Sequence, residues 1–225
     1  MTDDANYPPE FVAQLRAIAG ADAVRAGPAI ALLDPGVDPR NLAAGLMVRP
    51  IDAAQTGKIL ALCAAARVGV VAQGGRTGLA GGACTSRGEV IVSLDRMTSV
   101  ENFNPQARTA TVQAGCTLAG LDEVIAPLGL AAGIDLGARG TATIGGMVAT
   151  NAGGIDAFRY GTMRERVLGL EVALPSGQVI SDLSRVRKDN TGVPLRQLFI
   201  GSEGILGVIT PVSYTHLTLT TIYSV

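Results

Sequence analysis

The chain has 225 residues, enough for one large domain or two smaller units that share a core. Apolar residues make up 48% of it, charged residues 16% and aromatics only 4%, with no Trp, so its bulk comes from Ala, Val, Leu and Ile. A formal net charge of -1 gives no electrostatic reason to expect nucleic acid or an acidic membrane as a partner.

Apolar runs such as Ile59 to Ala66 are too short to span a bilayer. The acidic start, Met1-Thr2-Asp3-Asp4, lacks the order of a secretory signal, and a cytoplasmic address is the expectation. Cys63, Cys84 and Cys116 are widely spaced among small apolar residues, as buried thiols are. With His216 the sole histidine, no metal site is expected.

In chain order, Pro8-Pro9 followed by Phe11, Leu15 and Ile18, then Gly20, predicts a short helix. Pro28 to Pro39 reads as an extended connector, and Leu46 to Val48 as a strand stopped by Pro50. Asp52 can cap the next helix with Gln55 reaching back, and that helix runs towards Arg67 before a strand at Val70 to Ala72. Glu89 to Leu94 and Thr109 to Gln113 have strand character. Thr117 can cap a helix carrying Leu118, Leu121 and Ile125, closed by Gly129. Alternating Leu168, Leu170, Val172 and Leu174, then Pro175-Ser176-Gly177 and Gln178 to Ser181, predict a hairpin. The fold class is α+β. From Pro211 the chain carries no charge and is rich in Thr, which marks 211–225 as an atypical segment, expected to be foreign to what precedes it.

Twelve of the 29 glycines fall in two windows, Gly69 to Gly82 and Gly137 to Gly154. The first follows a strand directly and reads Gln73-Gly74-Gly75-Arg76-Thr77-Gly78. Glycine permits positive φ, so backbone N–H groups can converge on a phosphate, with the Thr77 hydroxyl and Arg76 charge beside them. The plain alternative is a tight surface turn, which a second such window makes less attractive. That second window, Asp135 to Gly154, is small-residue throughout. It suits either a flat group lying on the backbone or close packing, and spacing alone does not decide. No two glycines are separated by a single residue, so a Rossmann G-x-G is absent, and Gly57-Lys58 is no Walker loop.

Three blocks together carry a resemblance: Gln73 to Gly82; Asp135 to Gly154 with Arg159-Tyr160-Gly161; and Arg187 to Gly192 leading to Phe199-Ile200-Gly201-Ser202-Glu203-Gly204. In this order the chain resembles the FAD-binding domain of the vanillyl-alcohol-oxidase-type (PCMH-type) flavoproteins. Within them it is most similar to the D-2-hydroxyglutarate and D-lactate dehydrogenases and to the flavoprotein component of glycolate oxidase. The resemblance implies a two-subdomain FAD-binding fold over 41–210, with subdomains at about 41–103 and 104–210, after an N-terminal helix and connector at 1–40. It implies that Gly74, Gly75, Arg76, Thr77, Gly78, Gly82 and Ala83 wrap the pyrophosphate of FAD. Leu136, Gly137, Thr141, Ala142, Gly145, Asn151 and Ala152 would line the flavin and ribityl chain, and Glu203, Gly207 and Ile209 the adenosine side. Arg76 departs from the Asn that many relatives carry.

The FAD is expected to be non-covalent, because no histidine stands between Gly74 and Ala83. The activity implied is oxidation of a small 2-hydroxy acid, with an electron-transfer protein or a quinone-linked partner as electron acceptor. A substrate cap would follow Thr210, so no catalytic residue is assigned within these residues. A non-catalytic nucleotide-binding module, a truncated remnant and an enzyme acting on another alcohol remain as alternatives.

Overall fold

The computed structural model describes residues 7–186 and 188–218. Arg187 of the third block and residues 219–225 of the atypical segment lie outside them, as do Met1 to Asp4.

Helix α1 (Pro9–Ala19) begins on Pro9, whose missing N–H costs nothing in the first turn, and buries Phe11, Val12, Leu15 and Ala19. Strand β1 (Val24–Ala26) follows. The expected extended connector then departs from the prediction. Pro28 opens a single helical turn, α2 (Pro28–Ala31), and Pro39 a 3-10 turn (Pro39–Leu42) capped by Asp38. In both, proline's fixed φ serves a first helical turn as readily as an extended segment. Strand β2 (Leu46–Val48) leads to α3 (Ala53–Ala65), where Asp52 Oδ1 accepts from Gln55 N at 2.6 Å. The Gln55 side chain reaches one residue further back than a capping box requires, accepting from Ile51 N.

Strands β3 (Val70–Gln73) and β4 (Val90–Ser93) complete a four-stranded sheet in the order β1-β2-β4-β3. β4 is inserted between the strands that flank α3 and is parallel to both.

A second, antiparallel sheet follows, in the order β5-β6-β10-β8-β9: β5 (Val100–Asn104), β6 (Thr109–Gln113), β8 (Val167–Ala173), β9 (Val179–Asp182) and β10 (Val208–Thr215). Between β6 and β8 come α4 (Leu118–Ile125, capped by Thr117), β7 (Leu130–Ala131), α5 (Ile144–Ala149), α6 (Ala157–Tyr160) and α7 (Met163–Arg166). Helix α8 (Arg196–Phe199) precedes β10, and β11 (Leu217–Thr218) pairs with β7.

Two cores result. Residues of α1 and α3 pack with Leu46, Val48, Val90 and Val92 of the first sheet and reach Ala173 and Val208 of the second. Residues of α4 and α5 pack on Val112, Leu170, Val172, Val212 and Tyr214. Helix α3 thus lies between the sheets. This corrects the half-buried alternation expected of 168–174: six of the seven residues of β8 are buried because both its faces are covered.

Residues 211–215 of the segment singled out by composition continue β10 between β6 and β8. Tyr214 is fully buried and donates to Ala132 O, and the His216 ring lies 5.3 Å from that of Tyr214 and 5.8 Å from that of Phe103. Both His216 ring nitrogens are buried without a hydrogen-bond partner among the described residues, and desolvation pushes its pKa from 6.5 down to about 4. An unfolded histidine therefore takes up a proton where the folded one does not. The stability His216 permits is complete above pH 6.5 and is lost as the pH falls through about 4. Urea midpoints should drop between about pH 7 and about pH 4.5, and His216→Phe should reduce that drop. An unchanged pH profile in the variant would contradict this account.

Candidate cofactor site

Strand β3 ends at Gln73, and the first glycine loop leaves from there. The Gln73 Nε2 donates to Asn41 O at 2.6 Å and to Ala83 O at 2.7 Å, which ties the two ends of the loop together and to the connector. The loop lies directly against the second glycine segment. A Cβ on Gly74 would overlap the Thr143 hydroxyl, and one on Gly75 the Thr141 carbonyl. Thr143 in turn caps α5, its Oγ1 accepting from Gly146 N at 3.3 Å. Gly145 is pressed against Ala114, donating its N–H to the Ala114 carbonyl at 2.8 Å.

These contacts revise the reason for the glycines. Positive φ occurs in the first loop at Arg76 (54°) and Gly81 (84°), not at Gly74, Gly75, Gly78 or Gly82. Gly74 and Gly75 are needed because two backbones meet with no room for a side chain, whereas Gly78 faces open space. The Arg76 Nε donates to Asp34 O at 3.0 Å, so its side chain is engaged with the connector.

A small open cleft lies where the loop, α5 and the start of β10 meet. Of the residues singled out from the sequence, Gly74, Gly145, Glu203, Gly207 and Ile209 line it. Gly82 comes close as well, since a Cβ there would overlap Glu203 Oε2. Gly75, Thr77, Gly78 and Ala83 belong to the adjoining loop, and Thr141 meets it through the contact with Gly75.

The others are not on the cleft wall. Ala142 is buried and its carbonyl accepts from Leu118 N. Leu136 and Ala152 pack on the second core, and Gly137 is exposed with nothing near it. Asn151 has φ 50° and its Oδ1 accepts from Arg164 N at 3.0 Å. Glu203, at φ 53°, donates its N–H to Ala149 O at 2.8 Å.

Eight wall residues were not singled out from the sequence, Gln73, Thr143 and Gly204 among them. Thr143 carried a usable signal, a Thr three residues before a glycine at the start of a helix. Gln73 is 2% exposed, and its Oε1 has no partner among the described residues. Burial pushes the Cys63 and Cys116 thiols up to about 11. Among the described residues no three His, Cys, Asp or Glu side chains are grouped to hold a metal, and no helix is long and apolar enough to cross a membrane.

The family model described as "FAD binding domain" matches residues 44–182. The chain is 46% identical over 168 residues to the mitochondrial D-2-hydroxyglutarate dehydrogenase of Bos taurus, covering 75% of this chain and 31% of that protein. It is 40% identical over 168 residues to the D-2-hydroxyglutarate–pyruvate transhydrogenase of Saccharomyces cerevisiae, covering 75% of this chain and 34% of that one. The chain thus spans about a third of the length of these curated relatives. The fold matches that of an alkyldihydroxyacetonephosphate synthase with a TM-score of 0.82 at 23% identity, over 94% of this chain and 41% of that chain. The cytoplasmic address expected from the sequence is overturned by the relatives, several of which are designated mitochondrial.

FAD fits what the cleft offers. Small residues line much of its wall, and a buried side-chain acceptor of a lining residue lacks a donor among the described residues. Gly75→Ala should destabilise the fold itself by about 1–3 kcal/mol, because the new methyl meets a carbonyl that cannot move freely. Gly78→Ala should leave the melting temperature within about a degree of the parent while lowering flavin content. Equal melting temperatures for the two variants would refute the distinction.

Proposed function

The chain belongs to the FAD binding domain family, and from that premise we propose that it is the flavin-holding part of a longer dehydrogenase that oxidises a D-2-hydroxy acid to the 2-oxo acid. The carrying observation is the convergence of Gly74, Gly145 and the Glu203–Gly207 turn on one cleft. D-2-hydroxyglutarate is the first substrate to try, since the bovine relative bears its name; D-lactate and glycolate come next.

Bound FAD supplies the hydride acceptor for the substrate carbon. The loop from Gly74 to Gly78, with Gly82 and Ala83, holds the pyrophosphate. The second segment, through Leu136, Gly137, Thr141, Ala142, Gly145, Asn151 and Ala152, holds the flavin and ribityl chain, and Glu203, Gly207 and Ile209 the adenosine. Two sheets support two subdomains within one FAD domain, read from the sequence at about 41–103 and 104–210; β1 joins the first sheet from before 41 and β5 opens the second at Val100.

A base for the hydroxyl proton and a cation for the substrate carboxylate come from outside these residues. Of the acids of the second segment, Asp135 is engaged otherwise, its carboxylate 3.6 Å from Arg139. Ile155 and Phe158, beside Asp135, are fully presented apolar surface at 82% and 104% exposure, as expected of a face that another part of a longer protein covers. The reduced flavin would hand its electrons to an electron-transfer protein or a quinone-linked partner.

Attachment of FAD is non-covalent in this reading. Acid precipitation of the yellow protein should release all colour to the supernatant, and colour retained in the pellet would refute it. The 225-residue chain reconstituted with FAD should not be bleached anaerobically by D-2-hydroxyglutarate, D-lactate or glycolate. Stoichiometric bleaching by any of them would place the chemistry within these residues and overturn the division of labour.

A further inference from the structure

The unpartnered oxygen of Gln73 points to a subsite. The residue is 2% exposed, and both hydrogens of its amide nitrogen are committed to the carbonyls of Asn41 and Ala83. Those two bonds fix the amide's orientation, because turning it over would set Oε1 against two carbonyl oxygens. The oxygen is left as a buried acceptor without a donor among the described residues, on a residue that lines the cleft. A buried acceptor is ordinarily paired, so a donor is wanted at that spot.

The chemistry of the surroundings selects the donor. The Glu203 carboxylate lines the same cleft. Two acceptors on one cleft are a poor seat for an ionised phosphate, which carries no donor of its own. Yet Gln73 is the residue immediately before the loop proposed to hold the pyrophosphate, so the group it meets lies next to the phosphates in the ligand. In a dinucleotide the donors bonded closest to the phosphates are sugar hydroxyls, and the cleft also holds Gly207 and Ile209, read above as the adenosine side.

Resting on the FAD reading of the site, we infer that Gln73 Oε1 accepts a hydrogen bond from a ribose hydroxyl of the adenosine half of the cofactor. Gln73 is thereby both the staple that closes the glycine loop, through Nε2, and a specificity residue for a ribose over a deoxyribose, through Oε1. The two roles sit on different atoms, so they can be separated.

The test is calorimetric binding of ADP, 2′-deoxy-ADP and 3′-deoxy-ADP to the full chain, with FAD as a reference. In the parent, removing the hydroxyl that Gln73 accepts should weaken binding about tenfold, the usual effect of one hydrogen bond to a neutral group. Gln73→Lys retains donors for Asn41 and Ala83 but offers no acceptor, so the deoxy-to-ribose ratio of Kd should fall to about one, while the buried charge lowers the melting temperature. The ratio is read rather than the affinity, since the added charge strengthens every phosphate ligand alike. Should Gln73→Lys not fold, Gln73→Met serves for the same ratio.

Equal ratios in parent and variant, or a parent indifferent to both deoxy compounds, would reduce Gln73 to a staple and overturn the inference alone. A parent that binds neither ADP nor FAD would overturn the reading of the site and the inference with it.

Discussion

The structure depends on one close approach: the backbone of Gly74 and Gly75 lying against Thr141 and Thr143. The first pair follows β3 of the four-stranded mixed sheet, and the second leads into the helix that packs on the antiparallel sheet. A side chain at either glycine would hold the two sheets apart at the rim they share near the cleft. Once they touch, the other contacts follow. The Thr143 hydroxyl is placed to cap α5, Gly145 can settle on Ala114, and Gly82 can receive the Glu203 carboxylate. Glycine here supplies absence of volume more than freedom of rotation. The rotational burden falls on Arg76, Asn151 and Glu203, which adopt left-handed backbone without being glycine. Such conformations are unfavourable for a long side chain and persist only where the surrounding structure imposes them.

The same economy of volume runs through the layer between the sheets. Helix α3 buries only Ala53, Thr56, Gly57, Ile59, Leu60 and Cys63, and Gly57 faces the turn at Gly177 so closely that a Cβ would strike its carbonyl. A helix lined with larger residues would not fit between β8 and the four-stranded sheet. The low aromatic content of the chain is therefore a consequence of the architecture. Three layers meet on thin elements, and the energy of burial comes from many small contacts.

Local signals in the sequence were legible where the determining partners are a few residues apart. Asp52 and Thr117 cap the helices expected of them because a cap is decided within three residues. The order of the strands was not legible. Inserting β4 between β2 and β3 is a parallel pairing across 20 and 40 residues or so, with no local mark. The burial of β8 on both faces was missed for the same reason, since its second cover is a helix more than a hundred residues earlier. At the site the glycines announced themselves, but their partners did not. Arg76 looked like a phosphate ligand by its place in a loop, and only the fold brings Asp34 within reach of its Nε. Gln73 looked like the last residue of a strand. Its meaning comes from Asn41 and Ala83, which no periodicity connects to it.

Residues 211–215, the first part of the uncharged stretch after Thr210, gain a physical explanation from their position in β10. A strand paired on both edges and covered on both faces has no place for a charge. Val212 and Tyr214 face one core, while the hydroxyls of Ser213 and Thr215 bond the carbonyls of Leu183 and Arg166 on the other side. Loss of charge and gain of Thr are what such a strand requires, since a β-branched hydroxyl residue both favours extended backbone and can pair in a buried setting. The exception is His216. It is packed between the rings of Phe103 and Tyr214 with neither nitrogen satisfied among the described residues, and an apolar ring of similar size would do the packing without the desolvation. Among the described residues of this stretch, His216 is the side chain that departs from the logic of its surroundings, and it makes this end of the sheet sensitive to acid.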